Sequence, residues 1–358
     1  MTIGRRRAGA RARAATLAVA ALTATALASL TGCGPSASGS VAGGAPTGTG
    51  TQSSSGSSSA SSSASSSSAK PSSSAKASST PAAKPSYPSG PPMLLDSIVP
   101  TDGSTVGVAM PIVVVFSDPV KSAARKAIEQ AMHLTSTKTV TGAWHWLSSQ
   151  QVDFRPEGYW PSGSKVTLDA RFDHVGDGYG RYGTHSYTRH FTIGNDFETK
   201  ISASHHTTKV YSDGKLIRSM SSDAGSPQFP SWTGTMSVVS LTRNEHMTSC
   251  SAGITCDKNS PNYYDGYYPW AVRLTYSGTF VHYSSADPYP GHSYGSHGCV
   301  HLSWSNAEWY FDHVSVGDPV TITGSPRGEA DPTNGYAVYN VSWHDWQQHS
   351  GLGAITVS

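Results

Sequence analysis

The order of apolar and polar residues divides the chain into unlike stretches. Residues 14 to 30 are an apolar run behind Arg5, Arg6, Arg7, Arg11 and Arg13, the pattern of an export signal rather than a membrane span. From Gly34 to about Pro92 neither the helical nor the strand period is present. Beyond Met93 the pattern turns to strands. Lys165 to Phe172 alternates polar and apolar residues as a half-buried antiparallel strand does, and Ile112 to Phe116 is a continuous apolar strand candidate. Turn signals stand at Thr101-Asp102-Gly103 and Gly176-Asp177-Gly178, and one brief Ala-rich helix spans about Ser122 to Met132. Short strands with frequent turns predict a small sandwich over residues 93–194.

Residues 195–324 again read mostly as strand and turn. Gly234 to Leu241, Ala271 to Tyr276 and Thr279 to His282 are the strand candidates, with Ser277-Gly278 turning between the last two. One helix is expected near the end. Ser305 and Glu308 make a capping-box pattern, and Ala307, Tyr310, Phe311 and Val314 share a face. Asp318 to Ile322 reads as a closing strand. The last stretch, 325–358, holds Tyr336, Tyr339, Trp343 and Trp346, an aromatic density that predicts a segment packed back over one of the domains. The fold class expected is therefore mainly β.

Composition changes the picture of the N-terminal third. The 358 residues carry 25 Lys and Arg against 23 Asp and Glu, a net charge of +2. No Asp or Glu precedes Met93, so the part able to fold holds 17 basic and 23 acidic residues, a balance of −6. A nucleic-acid partner, which wants a basic folded surface, finds no support. Residues 34–92 are nearly all Ser, Ala, Gly, Thr and Pro, without the apolar residues that offset chain entropy, and are expected to form a disordered tether. As a flexible coil it would span roughly 40–45 Å. The leader ends in Leu30-Thr31-Gly32-Cys33, which resembles the lipobox of bacterial lipoproteins. That resemblance implies a signal peptide over 1–32, a lipid on Cys33, and a mature protein anchored to the outer face of the cytoplasmic membrane.

Four cysteines occur: Cys33, Cys250, Cys256 and Cys299. With Cys33 assigned to the lipid, Cys250 and Cys256 are close enough in sequence to close a small disulfide loop through Gly253, as an exported protein permits. Cys299 then remains a free thiol. It lies in Ser296-His297-Gly298-Cys299-Val300-His301, and His282 precedes this run. A thiol attacks as its thiolate, so a histidine able to take its proton is the least that cysteine acyl transfer requires. Gly298 leaves the thiol's approach open and would let backbone N–H groups of the turn face a developing oxyanion.

The Ser296-to-Cys299 motif, with His282 upstream and Asn306 to Val314 and Gly317-Asp318-Pro319-Val320 downstream, closely resembles the catalytic domain of bacterial L,D-transpeptidases. The likeness continues through Trp270 to Arg273, Tyr276-Ser277-Gly278 and Asp331 to Gly335. Tyr159-Trp160-Pro161 is similar to the immunoglobulin-like domain that precedes that catalytic domain in the actinobacterial branch. The resemblance implies an immunoglobulin-like β-sandwich followed by a catalytic β-sandwich with one main helix.

It also implies residue roles. Cys299 would be the nucleophile, His282 the proton acceptor and donor, and His297 a polarising neighbour, with the Gly298 and Cys299 amides in the oxyanion hole. Tyr264, Ser277, Gly278, Ser296 and His301 fall where the family contacts the peptide stem. The implied partners are peptidoglycan stem peptides, a tetrapeptide donor and an acceptor amine, with carbapenem β-lactams as covalent inhibitors. No cofactor is implied. No metal is expected either, because His292, His301 and His313 show no paired-ligand spacing. Two positions depart from the family: Tyr283 follows the upstream histidine where Ser or Gly is usual, and His301 stands where Asn or Arg is usual. Two alternatives remain open: a carboxypeptidase in which water resolves the thioester, and a wall-binding lipoprotein impaired by Tyr283 and His301.

Overall fold

The computed structural model describes Tyr87 and residues 89–358. Cys33, the leader and nearly all of the tether lie outside these residues.

Two sheets enclose the first core. The antiparallel sheet runs Leu95–Val99, Ile112–Phe116, Gln151–Pro156, Val140–Trp146 and, at its edge, Ala354–Val357. The other runs Ser104–Val106, Tyr187–Ile193, Lys165–Ala170 and Met132–Ser136. Trp144, Phe154, Trp160 and Phe172 fill the space between them. Trp160 can be fully buried because its indole N–H donates to Met110 O at 2.8 Å. The alternation read in Lys165–Ala170 is the observed burial, with Val166, Leu168 and Ala170 inward.

The C-terminal segment completes this first unit rather than trailing from the second. Trp346, in the short helix Trp343–Gln348, is fully buried and donates its indole N–H to Ala143 O at 2.9 Å. The Arg155 guanidinium lies over the rings of Tyr339 and Trp346, 4.8 Å from each centroid, and donates to Val341 O at 2.8 Å.

Asp153, on the central strand Gln151–Pro156, is buried with Oδ2 lacking a partner among the described residues. Burial raises its carboxyl to about 7, only partly offset by the hydrogen bond from Gln151. The native chain thus keeps a proton that the unfolded chain releases near pH 4, so this group's effect is to lower stability as pH rises from about 4 to 7. Asp153→Asn should therefore be more stable than the natural chain by a margin that grows over that window and then levels. Urea unfolding at pH 4, 5.5, 7 and 8 measures it, and a constant margin would contradict the assignment.

The second unit also has two sheets. One runs Lys215–Ser221, Thr207–Ser212, Phe197–Ser202, Pro319–Thr323 and Gly234–Ser237; the other runs Ser240–Thr248, Asp265–Arg273, Phe280–Tyr283 and Val300–Leu302. Ile201, Val210, Val320, Val272, Val281 and Val300 meet between them.

Three details differ from the sequence reading. Gly234 to Leu241 is not one strand: the chain crosses between sheets at Val238 and Val239, whose N–H groups bond Asp318 and Arg273. The stretch reads as one strand in sequence because Met236, Val238 and Leu241 all serve the one core between the two layers. The strand through Ala271 begins at Asp265 and stops at Arg273, since Leu274 N–H already closes the following turn on Thr279 O. The helix spans Trp304–His313 and starts two residues earlier than the Ser305 signal, with Ser303 as N-cap and no side-chain cap bond. Val300–Leu302 feeds directly into it, so strand geometry sets the start. His313 ends it, its ring bonded to Trp309 O at 2.7 Å.

Candidate active site

Parallel pairing of Phe280–Tyr283 with Val300–Leu302 builds the site. Its register sets Val281 opposite Val300 and His282 opposite His301. Side chains alternate between the faces of a sheet, so Val281 and Val300 enter the core while His282 and His301 share the other face. Their ring centroids are 4.9 Å apart. Cys299, two residues before His301, lies toward the same face. A cavity of about 200 Å³ results, lined among others by Tyr264, Tyr268, His282, His297, Cys299 and His301.

His282 is buried, and its Nδ1–H donates to Tyr283 O at 2.7 Å. That bond fixes the tautomer and leaves Nε2 as an acceptor. The third group of the constellation is thus a main-chain carbonyl, which is indifferent to the side chain at 283. Tyr283 turns its ring to Trp304 instead, 5.1 Å away and edge-on. Burial, with the neighbouring His301 second, pushes the His282 imidazole down to about 3.

The turn before the strand depends on Ser296 and Gly298. Ser296 Oγ donates to Cys299 O at 2.6 Å and accepts the Gly298 N–H at 3.1 Å. Gly298 has φ +117°, a conformation that favours glycine. Its N–H, expected at an oxyanion, is engaged by Ser296 because the tight turn folds the hydroxyl over it. The Cys299 N–H has no such partner among the described residues. Ser296, read as a stem contact, is foremost the brace of this turn.

The thiol donates to Gly278 O at 3.5 Å. It packs against the cluster of Met247, Ala271 and Phe280, as do Tyr264 and Tyr268, which line the cavity with it. This burial raises it to about 11, with the Phe280 N–H acting in the opposite sense. A raised thiol beside a lowered imidazole means that both are neutral at rest. Cys299 should accordingly react with iodoacetamide slowly at pH 7 and about tenfold faster per pH unit up to pH 9. Mass-spectrometric labelling rates test this; a rate already at its plateau at pH 6 would require a resting thiolate.

His297 packs between Phe229 and Tyr264, at 4.8 and 5.1 Å, and burial lowers its imidazole, with His301 contributing. Tyr264 is held by Ser249: its N–H bonds Ser249 Oγ at 3.2 Å and its carbonyl accepts Ser249 N–H at 2.9 Å. The Cys250–Cys256 disulfide is formed, and it closes the loop that Ser249 opens. The disulfide therefore steadies a wall of the cavity. Ser277 lies outside the cavity. Its Oγ accepts from Asn334 and Trp232, at 2.9 and 3.2 Å, so the turn's contribution to the thiol comes from the Gly278 carbonyl.

Sequence reading missed Asp287, whose Oδ2 is 3.0 Å from His301 Nδ1. Only the histidine-rich spacing between His282 and Cys299 hinted that this intervening segment returns to the site. Among the described residues no group of three His, Cys, Asp or Glu side chains is placed to hold a metal ion.

Comparison with known proteins decides the family. Residues 198–322 match the L,D-transpeptidase catalytic domain, and residues 48–176 match a bacterial Ig domain. L,D-transpeptidase 1 of Mycobacterium tuberculosis is 34% identical over 235 residues, which is 64% of this chain and 84% of the relative. This chain belongs to the L,D-transpeptidase family. L,D-transpeptidase 2 of Mycobacterium tuberculosis is 33% identical over 257 residues, 70% of this chain, and the match spans only 60% of that relative's length. A solved LD transpeptidase, LdtMt1 in complex with imipenem, superposes with a TM-score of 0.55 at 33% identity, covering 65% of this chain and all of that one. Within this L,D-transpeptidase, Cys299 is the free thiol at the cavity, beside two of its three histidines on the shared sheet face.

Proposed function

We propose that this L,D-transpeptidase cross-links peptidoglycan through an acyl-enzyme on Cys299. The observation that carries the reading is the strand register that sets the free thiol and the Nε2-accepting His282 on one face of a cavity. The Cys299 thiol attacks the carbonyl carbon of the third residue of a tetrapeptide stem as its proton passes to His282. Because both groups are neutral at rest, proton transfer and attack proceed together, and the Cys299 N–H, without a backbone partner among the described residues, would face the oxyanion. Collapse breaks the amide bond to the terminal D-alanine, whose amine leaves with the proton from His282. A side-chain amine of a second stem then attacks the thioester, gives its proton to His282, and the sulfur leaves and recovers it. The product is a bond between two third residues. Tyr264 and Tyr268 would enclose the donor stem, and a carbapenem would acylate the same sulfur.

The folded domains are placed at the wall by the chain before them. Lipidation of Cys33 after Leu30-Thr31-Gly32 would anchor the mature protein to the outer face of the cytoplasmic membrane, with residues 34–92 as its reach. Incubation of the purified chain with a disaccharide tetrapeptide tests the reaction. A cross-linked dimer with loss of D-alanine supports transpeptidation, a tripeptide alone assigns a carboxypeptidase, and no loss of D-alanine refutes both.

A further inference from the structure

Asp287 and His301 have no part in the chemistry above. His301 is 7% exposed, and its main chain is bonded twice to Asp223, by its N–H at 2.7 Å and its carbonyl at 3.2 Å. The ring is therefore held where the register puts it, against His282. Asp287 approaches from the turn that follows Tyr283, closed by its own N–H on Ser284 O at 3.1 Å, and sets Oδ2 3.0 Å from His301 Nδ1.

We propose that His301, held by Asp287, is an electrostatic positioning residue whose positive charge keeps His282 in its neutral, proton-accepting form. The inference rests on the assignment of His282 and Cys299 given above. Two imidazoles 4.9 Å apart do not both take a charge without repulsion, and a carboxylate beside one of them decides which does. His301 has Asp287. His282 is faced by the Tyr283 carbonyl, the Tyr268 ring at 5.1 Å, the thiol and His301 itself, and among the described residues no carboxylate is bonded to its ring. The carboxylate of Asp223, whose main chain is bonded to that of His301, is committed to His206 at 2.7 Å and to Ser293. His297, the third imidazole of the cavity, has no bonded acid among the described residues either. The lowered imidazoles of His282 and His297, for which His301 is the charge next in weight after burial, agree in direction.

Imipenem acylation of the full chain, followed by intact mass from pH 2.5 to 9, tests this on the natural chain, His301→Asn and His301→Lys. Loss of the charge in His301→Asn should move the acid limb of the rate profile up by about one pH unit. His301→Lys, permanently charged, should keep the limb where the natural chain has it. Coincidence of the Asn and Lys profiles would make the ring's role steric and overturn the proposal, as would an Asn profile superposed on that of the natural chain. Nitrogen NMR of the natural chain's imidazoles needs no variant. His282 must stay neutral at pH values where His301 is charged, and the reverse order overturns the proposal. Absence of any imipenem adduct on the natural chain would refute the assignment of Cys299 instead, while the NMR order would still decide this one.

Discussion

Imipenem is expected to add no mass to Cys299→Ala, whereas His282→Gln should still be acylated, at a rate lower by about 10²–10⁴ at pH 7. The two variants fail differently because they remove different things. Without sulfur no thioester can form. Without the imidazole the nucleophile remains, but its proton has nowhere to go except to water, and burial has raised that thiol to about 11. The His282→Gln rate should therefore climb about tenfold per pH unit through pH 9, as the thiolate fraction does, while the natural chain stays nearly flat above pH 6. Glutamine suits the test because it is uncharged at a buried position and can still donate to Tyr283 O. Stopped-flow acylation with intact-mass endpoints reads both. Equal rates for His282→Gln and the natural chain would remove His282 from the mechanism.

The second large effect is on stability, far from the cavity. Glu129, on the first-domain helix Ser122–Ala131, is buried and accepts four hydrogen bonds. Trp146 Nε1 and Gly351 N–H reach Oε1 at 2.8 Å, and Ser350 Oγ and Leu352 N–H reach Oε2 at 2.8 and 3.0 Å. Three of these donors belong to the C-terminal segment, just before the edge strand Ala354–Val357. Glu129→Ala leaves all four without their acceptor and opens space beneath the segment. A cost of about 3–5 kcal/mol is expected, because bonds to an ionised acceptor are the strong ones and stranded buried donors add to the loss. The thermal midpoint should fall on the order of 10 °C. Amide exchange should accelerate first in residues 350–357, and Glu129→Gln should recover part of the loss. Unchanged exchange there would show that aromatic packing of Trp346 alone secures the segment.

These effects differ in how far they could be read beforehand. Cys299, His282 and His297 are chemically distinctive residues in a short motif, and their importance does not depend on knowing which strands adjoin. Tyr264 and the Cys250–Cys256 bridge were likewise within reach, the bridge because a short loop needs only local geometry. Glu129 was not legible. In sequence it is one polar residue on an Ala-rich helix, and three of its four partners lie more than two hundred residues downstream. Arg155 is similar: its clasp on Tyr339 and Trp346 exists only because the C-terminal segment returns to the first sheet.

The division follows from the range of the forces involved. Period-two burial and turn chemistry are properties of a few neighbouring residues, so the β-rich class and the first sandwich were legible in the sequence alone, while the second sandwich and the proposed roles of Cys299 and His282 came with the resemblance carried by a short motif. Tertiary structure alone decided that His282 pairs in register with His301, that Ser296 takes the Gly298 N–H, and that Asp287 Oδ2 comes within 3.0 Å of His301 Nδ1. Each of those contacts joins backbone or side-chain groups whose separation is set by how sheets stack and strands align. Hydrogen bonds and ion pairs act over about 3 Å, and no local pattern encodes which distant group will come within that distance.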